Sequence, residues 1–357
     1  MIRAIRNFLN QEKMYSWLLI ISIFLYSFFL MFSEDEGDSL SPAMEKIKEV
    51  KASFEGKDNQ GEIFWNLLKD DESLAITALL FMMLFLFLIG AGFLVVVYCL
   101  VNLLLGRKII QRAYDQASIK WENADIVKII ILFVFVSMIS GVIIGFINDL
   151  FFEDAENSFI IIHTLITDVA ALFFIIYFVT VKYKSSIRDI GLNSMRFFND
   201  IFLGFSTYCV VLPVLLGIII LLSVIVNYFH YEPPPHPLVD IFVVEDKQNP
   251  LLIMFSIFLA CTIGPFIEEV FFRGFCYSAL KKKWGIRVAM ISTAAFFALI
   301  HGSSFAFIPV FILGLILAFL FEKRGTLIPS ITLHIIHNSL FISYFFIMKR
   351  VLLDRLG

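Results

Sequence analysis

Long apolar runs, each bounded by polar or charged residues, make up most of the chain. A run of about 20 apolar residues can cross the roughly 30 Å hydrocarbon core of a bilayer as a helix. The pattern therefore predicts an all-α, polytopic transmembrane helical bundle of about eight or nine spans. The predicted spans are residues 14–32, 74–105, 125–147, 158–181, 201–229, 250–275, 286–301, 306–321 and 327–348.

The segments between these runs alternate in charge. The acidic segments are 33–73, 148–157 and 230–249, and the basic segments are 106–124 and 182–200. Because Lys and Arg stay on the cytoplasmic side of short loops, we expect a cytoplasmic N-terminus and external acidic segments in a multi-pass protein of the cytoplasmic membrane. Nine crossings would place the basic residues Lys349 and Arg350 outside, against this rule.

Composition supports the membrane class and excludes others. The chain has 357 residues, of which 59% are hydrophobic and 17% charged, against about one quarter charged in soluble domains. Its four cysteines form no CxxC pair, so a disulfide framework or a thiolate metal site is not expected. The sequence contains no glycine-rich phosphate loop and no basic patch interleaved with aromatic residues. The lipid bilayer is the expected environment, and nucleic acid is not an expected partner.

Polar residues that are costly in hydrocarbon concentrate in the last hundred residues. A charged residue at mid-bilayer costs about 2.5–3.5 kcal/mol on insertion scales, so such groups persist where they meet in a protein-lined or watered cavity. We therefore predict a polar site between the C-terminal helices. Its candidate residues are Glu268, Glu269, Arg273, His301, His334 and Asn338.

Helical spacing indicates which of these side chains meet. Glu269 and Arg273 are four residues apart, so they share a face and are expected to form an ion pair. Glu268 projects about 100° away from that face, which leaves it available for chemistry. Phe297 lies one turn before His301 and predicts an aromatic wall beside the histidine.

The residue types suit hydrolysis. Glu268 and His301 could activate a water molecule, while His334 and Asn338 could donate hydrogen bonds to an oxyanion. Carboxylate and imidazole are also ordinary zinc ligands. A divalent metal such as zinc therefore stays open as a cofactor, with Glu268, His301 and His334 as its ligands.

Simpler interpretations stand beside this one. His163 is expected to be a packed, hydrogen-bonded residue. Asp168 is more simply a partner of Thr164 or Thr167 than a proton-relay carboxylate. His337 is an alternative to His334, and the glutamate–arginine cluster alone could stabilise contacts between helices.

Three motifs occur in an order known from one family. They are EExxxR at 268–273, FxxxH at 297–301 and HxxxN at 334–338. The ordered set resembles the CAAX-protease and bacteriocin-processing (CPBP, or Abi) family of intramembrane proteases, and the resemblance covers roughly residues 185–345. It implies a protease domain at 125–357 with its core at 185–345. We expect an N-terminal membrane region at 1–124 before it, with two spans and an acidic external loop that have no recognised counterpart in the family.

The resemblance also implies a function. The protein is expected to be an endopeptidase of the CAAX type that hydrolyses a peptide bond of a membrane-associated, in some members lipidated, protein or peptide. Catalysis would fall to Glu268, His301, His334 and Asn338, with Glu269, Arg273 and Phe297 as supporting residues, by a metal- or glutamate-dependent mechanism. The alternatives are a non-catalytic scaffold or bacteriocin-immunity protein on the same fold, and an ion- or proton-coupled transporter.

Overall fold

The computed structural model describes residues 11–32, 69, 71–111, 119–151, 156–193, 196–229, 231, 242 and 249–356. Most of the acidic segments 33–73 and 230–249 lies outside these residues. The predictions made for those two segments therefore stay predictions.

The described residues form helices and contain no strand. The α-helices are α1 Lys13–Phe32, α2 Glu72–Leu104, α3 Asn123–Phe151, α4 Glu156–Ile176, α5 Phe197–Tyr228, α6 Pro250–Phe258, α7 Gly264–Glu269, α8 Ser278–Ile300, α9 Ser304–Arg324 and α10 Ile328–Leu356. Two π-helical segments, πA Leu259–Ile263 and πB Val270–Tyr277, join α6, α7 and the start of α8 into one rod that is continuous as far as Gly285. A third π-helical segment, Tyr177–Lys182, extends α4.

Within the described ranges, seven helical stretches are long and apolar enough to cross a membrane. They are Glu72–Leu104, Asn123–Asn148, Asn157–Lys182, Phe197–Tyr228, Pro250–Ile300, Ser304–Arg324 and Ile328–Val351. The predicted polytopic helical bundle is confirmed. Pro250–Ile300 contains two of the predicted spans, because its backbone leaves helical geometry at Gly285, where φ is 79° and ψ is 171°. When Pro250–Ile300 is divided at Gly285 and α1 is added, each of the nine predicted spans corresponds to a helix.

Glycines bring the central helices into backbone contact. A Cβ on Gly92 of α2 would lie 2.1 Å from the carbonyl oxygen of Cys209 in α5. A Cβ on Gly204 of α5 would lie 2.5 Å from the carbonyl oxygen of Pro329 in α10. Small residues at such crossings let membrane helices approach closely. The N-terminal α2 is thereby packed against the same bundle that carries the polar residues.

The basic C-terminal residues have partners in the structure. Lys349 is buried and donates to the carbonyl oxygen of Phe242 at 2.7 Å. Arg350 pairs with the carboxylate of Asp71 at 3.0 Å and also contacts Ser73. Asp71 and Phe242 belong to two acidic segments predicted to lie outside. The end of α10 is therefore on the same side as those segments, with its charges compensated by local acceptors.

The start of α3 is fixed to the rod that carries the glutamates. Trp121 is fully buried, stacks on Phe275 with ring centroids 5.4 Å apart, and donates its indole N–H to the Phe275 carbonyl at 3.0 Å. One turn later, Asp125 accepts hydrogen bonds from Lys182 at 2.6 Å and from the Tyr183 hydroxyl at 2.5 Å. Burial, followed by this hydrogen bond, raises the pKa of Tyr183. These contacts fix the ends of α3 and α4 against πB.

Candidate active site

Two π-helical segments flank the short helix that carries both glutamates. α7 ends at Glu269, with πA before it and πB, which contains Arg273, after it. π-helical turns are rare and occur frequently at functional sites. The carbonyl oxygen of Ala260, in πA, accepts a hydrogen bond from the Asn338 side-chain amide at 2.9 Å. This bond joins α10 to the rod.

Glu269 and Arg273 form a buried ion pair, as their spacing predicts. Arg273 Nη1 lies 2.8 Å from Glu269 Oε1, and the two side chains are 1% and 0% exposed. Arg273 also donates to the Gly314 carbonyl at 3.3 Å, and its guanidinium lies 4.4 Å from the ring centroid of Phe297. An ion at this depth is stable only when it is paired and hydrogen-bonded. The pair is therefore a fixed structural support.

His334 lies between the two glutamates. Its Nδ1 is 3.0 Å from Glu269 Oε1, and its Nε2 is 3.7 Å from Glu268 Oε2. Because an ionised carboxylate only accepts hydrogen bonds, Nδ1 carries the hydrogen in the neutral ring and Nε2 presents its lone pair. Glu269 thus sets both the tautomer and the orientation of His334.

Glu268 has the environment expected of the reactive carboxylate. Its side chain is 33% exposed, whereas that of Glu269 is fully buried. In the described part of the chain, no hydrogen-bond donor reaches Oε2 of either glutamate, so exposure is what distinguishes the two. Two adjacent carboxylates in different environments can take different roles. Here Glu269 bonds to Arg273 and His334, and Glu268 is the glutamate that is partly exposed.

His301 approaches the same centre from the end of α8. The helix ends there because Gly302 has a φ of 65°. His301 Nδ1 lies 2.7 Å from the Phe297 carbonyl oxygen, so this nitrogen donates and Nε2 is left as an acceptor. The buried ring of Phe297 contacts both imidazoles, with centroids 4.7 Å from His301 and 5.6 Å from His334. Phe297 is the aromatic wall that the sequence predicts.

The structure brings the predicted site residues into one connected cluster. Contacts link Glu268, His334, Glu269, Arg273, Phe297 and His301 in an unbroken series. Asn338 is joined to this cluster through the backbone of Ala260 rather than through another side chain. The carbonyls of Ala260 and Gly314 are the parts of the site that sequence reasoning missed, since backbone groups leave no signal in a motif. The catalytic roles of these residues stay predictions.

The simpler interpretations have mixed outcomes. His163 is a packed, hydrogen-bonded residue, with Nε2 3.0 Å from the Ser137 carbonyl. The pairing of Asp168 with a threonine is wrong, because the hydroxyls of Thr164 and Thr167 donate to carbonyls of their own helix. His337 packs against Tyr208 and Phe341, away from the glutamates' hydrogen bonds.

The donors do not assemble into a complete metal-ligand set. Among the described residues, no group of three His, Cys, Asp or Glu side chains could hold a metal ion. His334 uses Nδ1 to donate to Glu269, so only Nε2 would be available to a metal. The divalent metal stays an expectation.

One match to known proteins covers the part of the chain that holds the cluster. Residues 250–340 match the family model described as "Type II CAAX prenyl endopeptidase Rce1-like". The UPF0177 protein YxdF of Lactococcus lactis subsp. lactis (strain IL1403) is 29% identical over 92 residues, which are 26% of this chain and 50% of that protein. The chain thus spans about half the length of this curated relative. No solved structure matches the chain. The resemblance indicated by the three motifs is confirmed for the segment that contains them.

Proposed function

We propose that the protein is an intramembrane endopeptidase that hydrolyses a peptide bond of a membrane-associated protein or peptide. The observation that carries the proposal is the exposure of Glu268, whose side chain is 33% exposed although it lies next to the fully buried Glu269. It lies beside a histidine that a buried ion pair orients. The match of this segment to a family of prenyl endopeptidases supports the same reaction class.

In the proposed mechanism Glu268 is the general base. Its carboxylate takes a proton from a water molecule while the water oxygen forms a bond to the scissile carbonyl carbon. The lone pair on His301 Nε2 accepts the second hydrogen of that water and fixes its direction. The proton then passes from Glu268 to the amide nitrogen, the C–N bond breaks, and the products are a carboxylic acid and an amine.

The other residues of the cluster position these two groups and bind the oxyanion. Asn338 donates one amide hydrogen to Ala260, and its second hydrogen is available to the tetrahedral intermediate. With a proton from solvent on Nε2, His334 is a second donor, and the adjacent Glu269 carboxylate stabilises the positive charge; this proton is not consumed in the reaction. Arg273 pairs with Glu269 and holds its carboxylate in place, and Phe297 contacts both imidazoles.

Proteolysis by purified protein tests the proposal. We expect the wild type, but not Glu268→Gln, to generate new peptide termini in a membrane-proteome extract analysed by mass spectrometry. A prenylated peptide that ends in a CAAX sequence is the first defined substrate to assay, because the matched family is described by that activity. Glu72→Gln is the matched control, since Glu72 is an exposed glutamate in the first turn of α2.

Each outcome has a separate meaning. Termini produced by the wild type and Glu72→Gln alone support the peptidase and identify its substrates, and loss of those termini with chelator supports a metal. Identical profiles from wild type and Glu268→Gln, both folded, would overturn the proposal in favour of a non-catalytic scaffold.

A further inference from the structure

The break in α8 at Gly285 lies within an exposed basic segment that the proposed hydrolysis does not use. The segment is residues 282–288, and every residue in it is exposed. Gly285 has a φ of 79° and a ψ of 171°, a conformation that is essentially restricted to glycine. A Cβ there would meet nothing within 4 Å, so the backbone conformation rather than close packing explains the glycine. The break therefore sets how this segment is presented at the surface.

The segment lies at the end of the bundle where α9 ends. Lys281, the residue before it, is 2.5 Å from the carboxylate of Glu322, in the last turn of α9. α10 begins at this end and runs away from it, so Lys349 and its partners lie at the opposite end. The charge pattern of the sequence predicts that the end with Lys281 faces the cytoplasm.

Three cations of the segment have no carboxylate to compensate them. In the part of the chain that the structure describes, Lys282, Lys283 and Arg287 take part in no ion pair. The adjacent acidic group, Glu322, is already paired with Lys281. The segment therefore carries an excess of positive charge that a negatively charged partner could neutralise.

Large apolar side chains are exposed beside these cations. Trp284 is 49% exposed, Ile286 is 44% exposed and Ile291, one turn later, is 55% exposed. Tryptophan is enriched where membrane proteins meet the lipid headgroups, and clustered Lys and Arg attract anionic lipids. A soluble anion would neutralise the cations and leave the apolar side chains in water. A phospholipid supplies both a negative headgroup and acyl chains.

We propose that residues 282–288 form a binding site for an anionic phospholipid of the bilayer. Lys282, Lys283 and Arg287 bind its headgroup, and Trp284 and the apolar residues after it contact its acyl chains. The site is distinct from the carboxylate–histidine cluster, and the inference does not rest on the peptidase proposal. Phosphatidylglycerol is the probe, and phosphatidylcholine, which has no net charge, is its comparison.

Trp284 reports binding directly. The chain has four tryptophans, and replacing Trp17 and Trp65 by Phe leaves Trp284 together with the fully buried Trp121. The full-length protein with these two replacements is placed in vesicles of phosphatidylglycerol and phosphatidylcholine in varied proportion. One lipid at a time carries bromine on its acyl chains, and quenching of tryptophan fluorescence gives the relative binding constant of the two lipids.

A triple variant removes the charges, and a matched triple variant is its control. The test variant is Lys282→Gln, Lys283→Gln and Arg287→Gln. The control is Arg107→Gln, Lys108→Gln and Arg188→Gln, which removes three exposed cations elsewhere. Arg107 and Lys108 lie at the same end of the bundle, because the Gln111 carbonyl accepts a hydrogen bond from Arg324 at the end of α9.

Each Lys or Arg next to an anionic lipid surface strengthens binding by about fivefold. We therefore expect the wild type and the control to prefer phosphatidylglycerol by about tenfold or more, and the test variant to bind both lipids about equally. The variant with Lys282→Gln and Lys283→Gln alone replaces the test variant if that one does not fold, and it should lose most of the preference. Lys282→Arg with Lys283→Arg should keep it.

Two results would overturn the inference. An unchanged preference in the folded test variant would show that these cations do not bind lipid, and would favour an acidic segment of a partner protein as their ligand. An equal loss of preference in the test variant and the control would show a general effect of surface charge rather than a site.

Discussion

The buried pair of Glu269 and Arg273 makes a quantitative prediction about stability. Both side chains are essentially unexposed, so removal of either one leaves the other charge without its partner. Breaking a buried ion pair in this way costs about 3–5 kcal/mol. We expect that cost for Arg273→Met and a similar one for Glu269→Gln. Replacing both at once leaves no unpaired charge, and the glutamine side chain of the double variant still offers an oxygen to His334 Nδ1.

A double-mutant cycle measures the effect. The free energy of unfolding of the four proteins is measured in mixed micelles of mild detergent and SDS, with helicity and tryptophan fluorescence as probes. We expect the double variant to be more stable than the sum of the two single effects predicts, by about 3 kcal/mol or more. Additive single effects, each below about 1 kcal/mol, would refute the argument that the pair is a buried unit of compensating charge.

Two further predictions concern the packing that holds the site together. Gly204→Ala places a Cβ 2.5 Å from the Pro329 carbonyl and should lower the melting temperature. Gly217→Ala is the control, because a Cβ there meets nothing within 4 Å. It should leave the free energy of unfolding unchanged or raise it by up to about 1 kcal/mol. Equal melting temperatures would contradict the close α5–α10 contact. Trp121→Phe removes the donor to the Phe275 carbonyl and should cost about 1–3 kcal/mol in the same micelle assay, and no change would contradict the role of that bond.

Features that depend on one helix could be predicted from the sequence. The ion pair between Glu269 and Arg273 follows from a spacing of four residues, and the separate orientation of Glu268 follows from the 100° step per residue. The spans follow from the length of the apolar runs. These inferences succeed because their physical basis is local in sequence.

Features that depend on contacts between helices could not be predicted in the same way. The bond from His334 to Glu269 joins α10 to α7, and no spacing rule relates residues 65 positions apart. Asn338 bonds to a backbone carbonyl in πA, and backbone acceptors look alike in every sequence. The bonds from Lys349 to the Phe242 carbonyl and from Arg350 to Asp71 also join segments distant in sequence, so they could be seen only in the packed structure.

The π-helical segments have a consequence for how this site varies among related chains. A π-helical turn contains about one more residue than the α-helical turn it replaces, so πA and πB set the rotational phase of the rod on both sides of Glu268 and Glu269. Losing one residue from πA would turn α6 by about 100° relative to the glutamates and move Ala260 away from Asn338. The geometry of the centre therefore depends on the length of the rod, and an insertion or deletion between 259 and 267 would change it while the spacing of every motif stays intact.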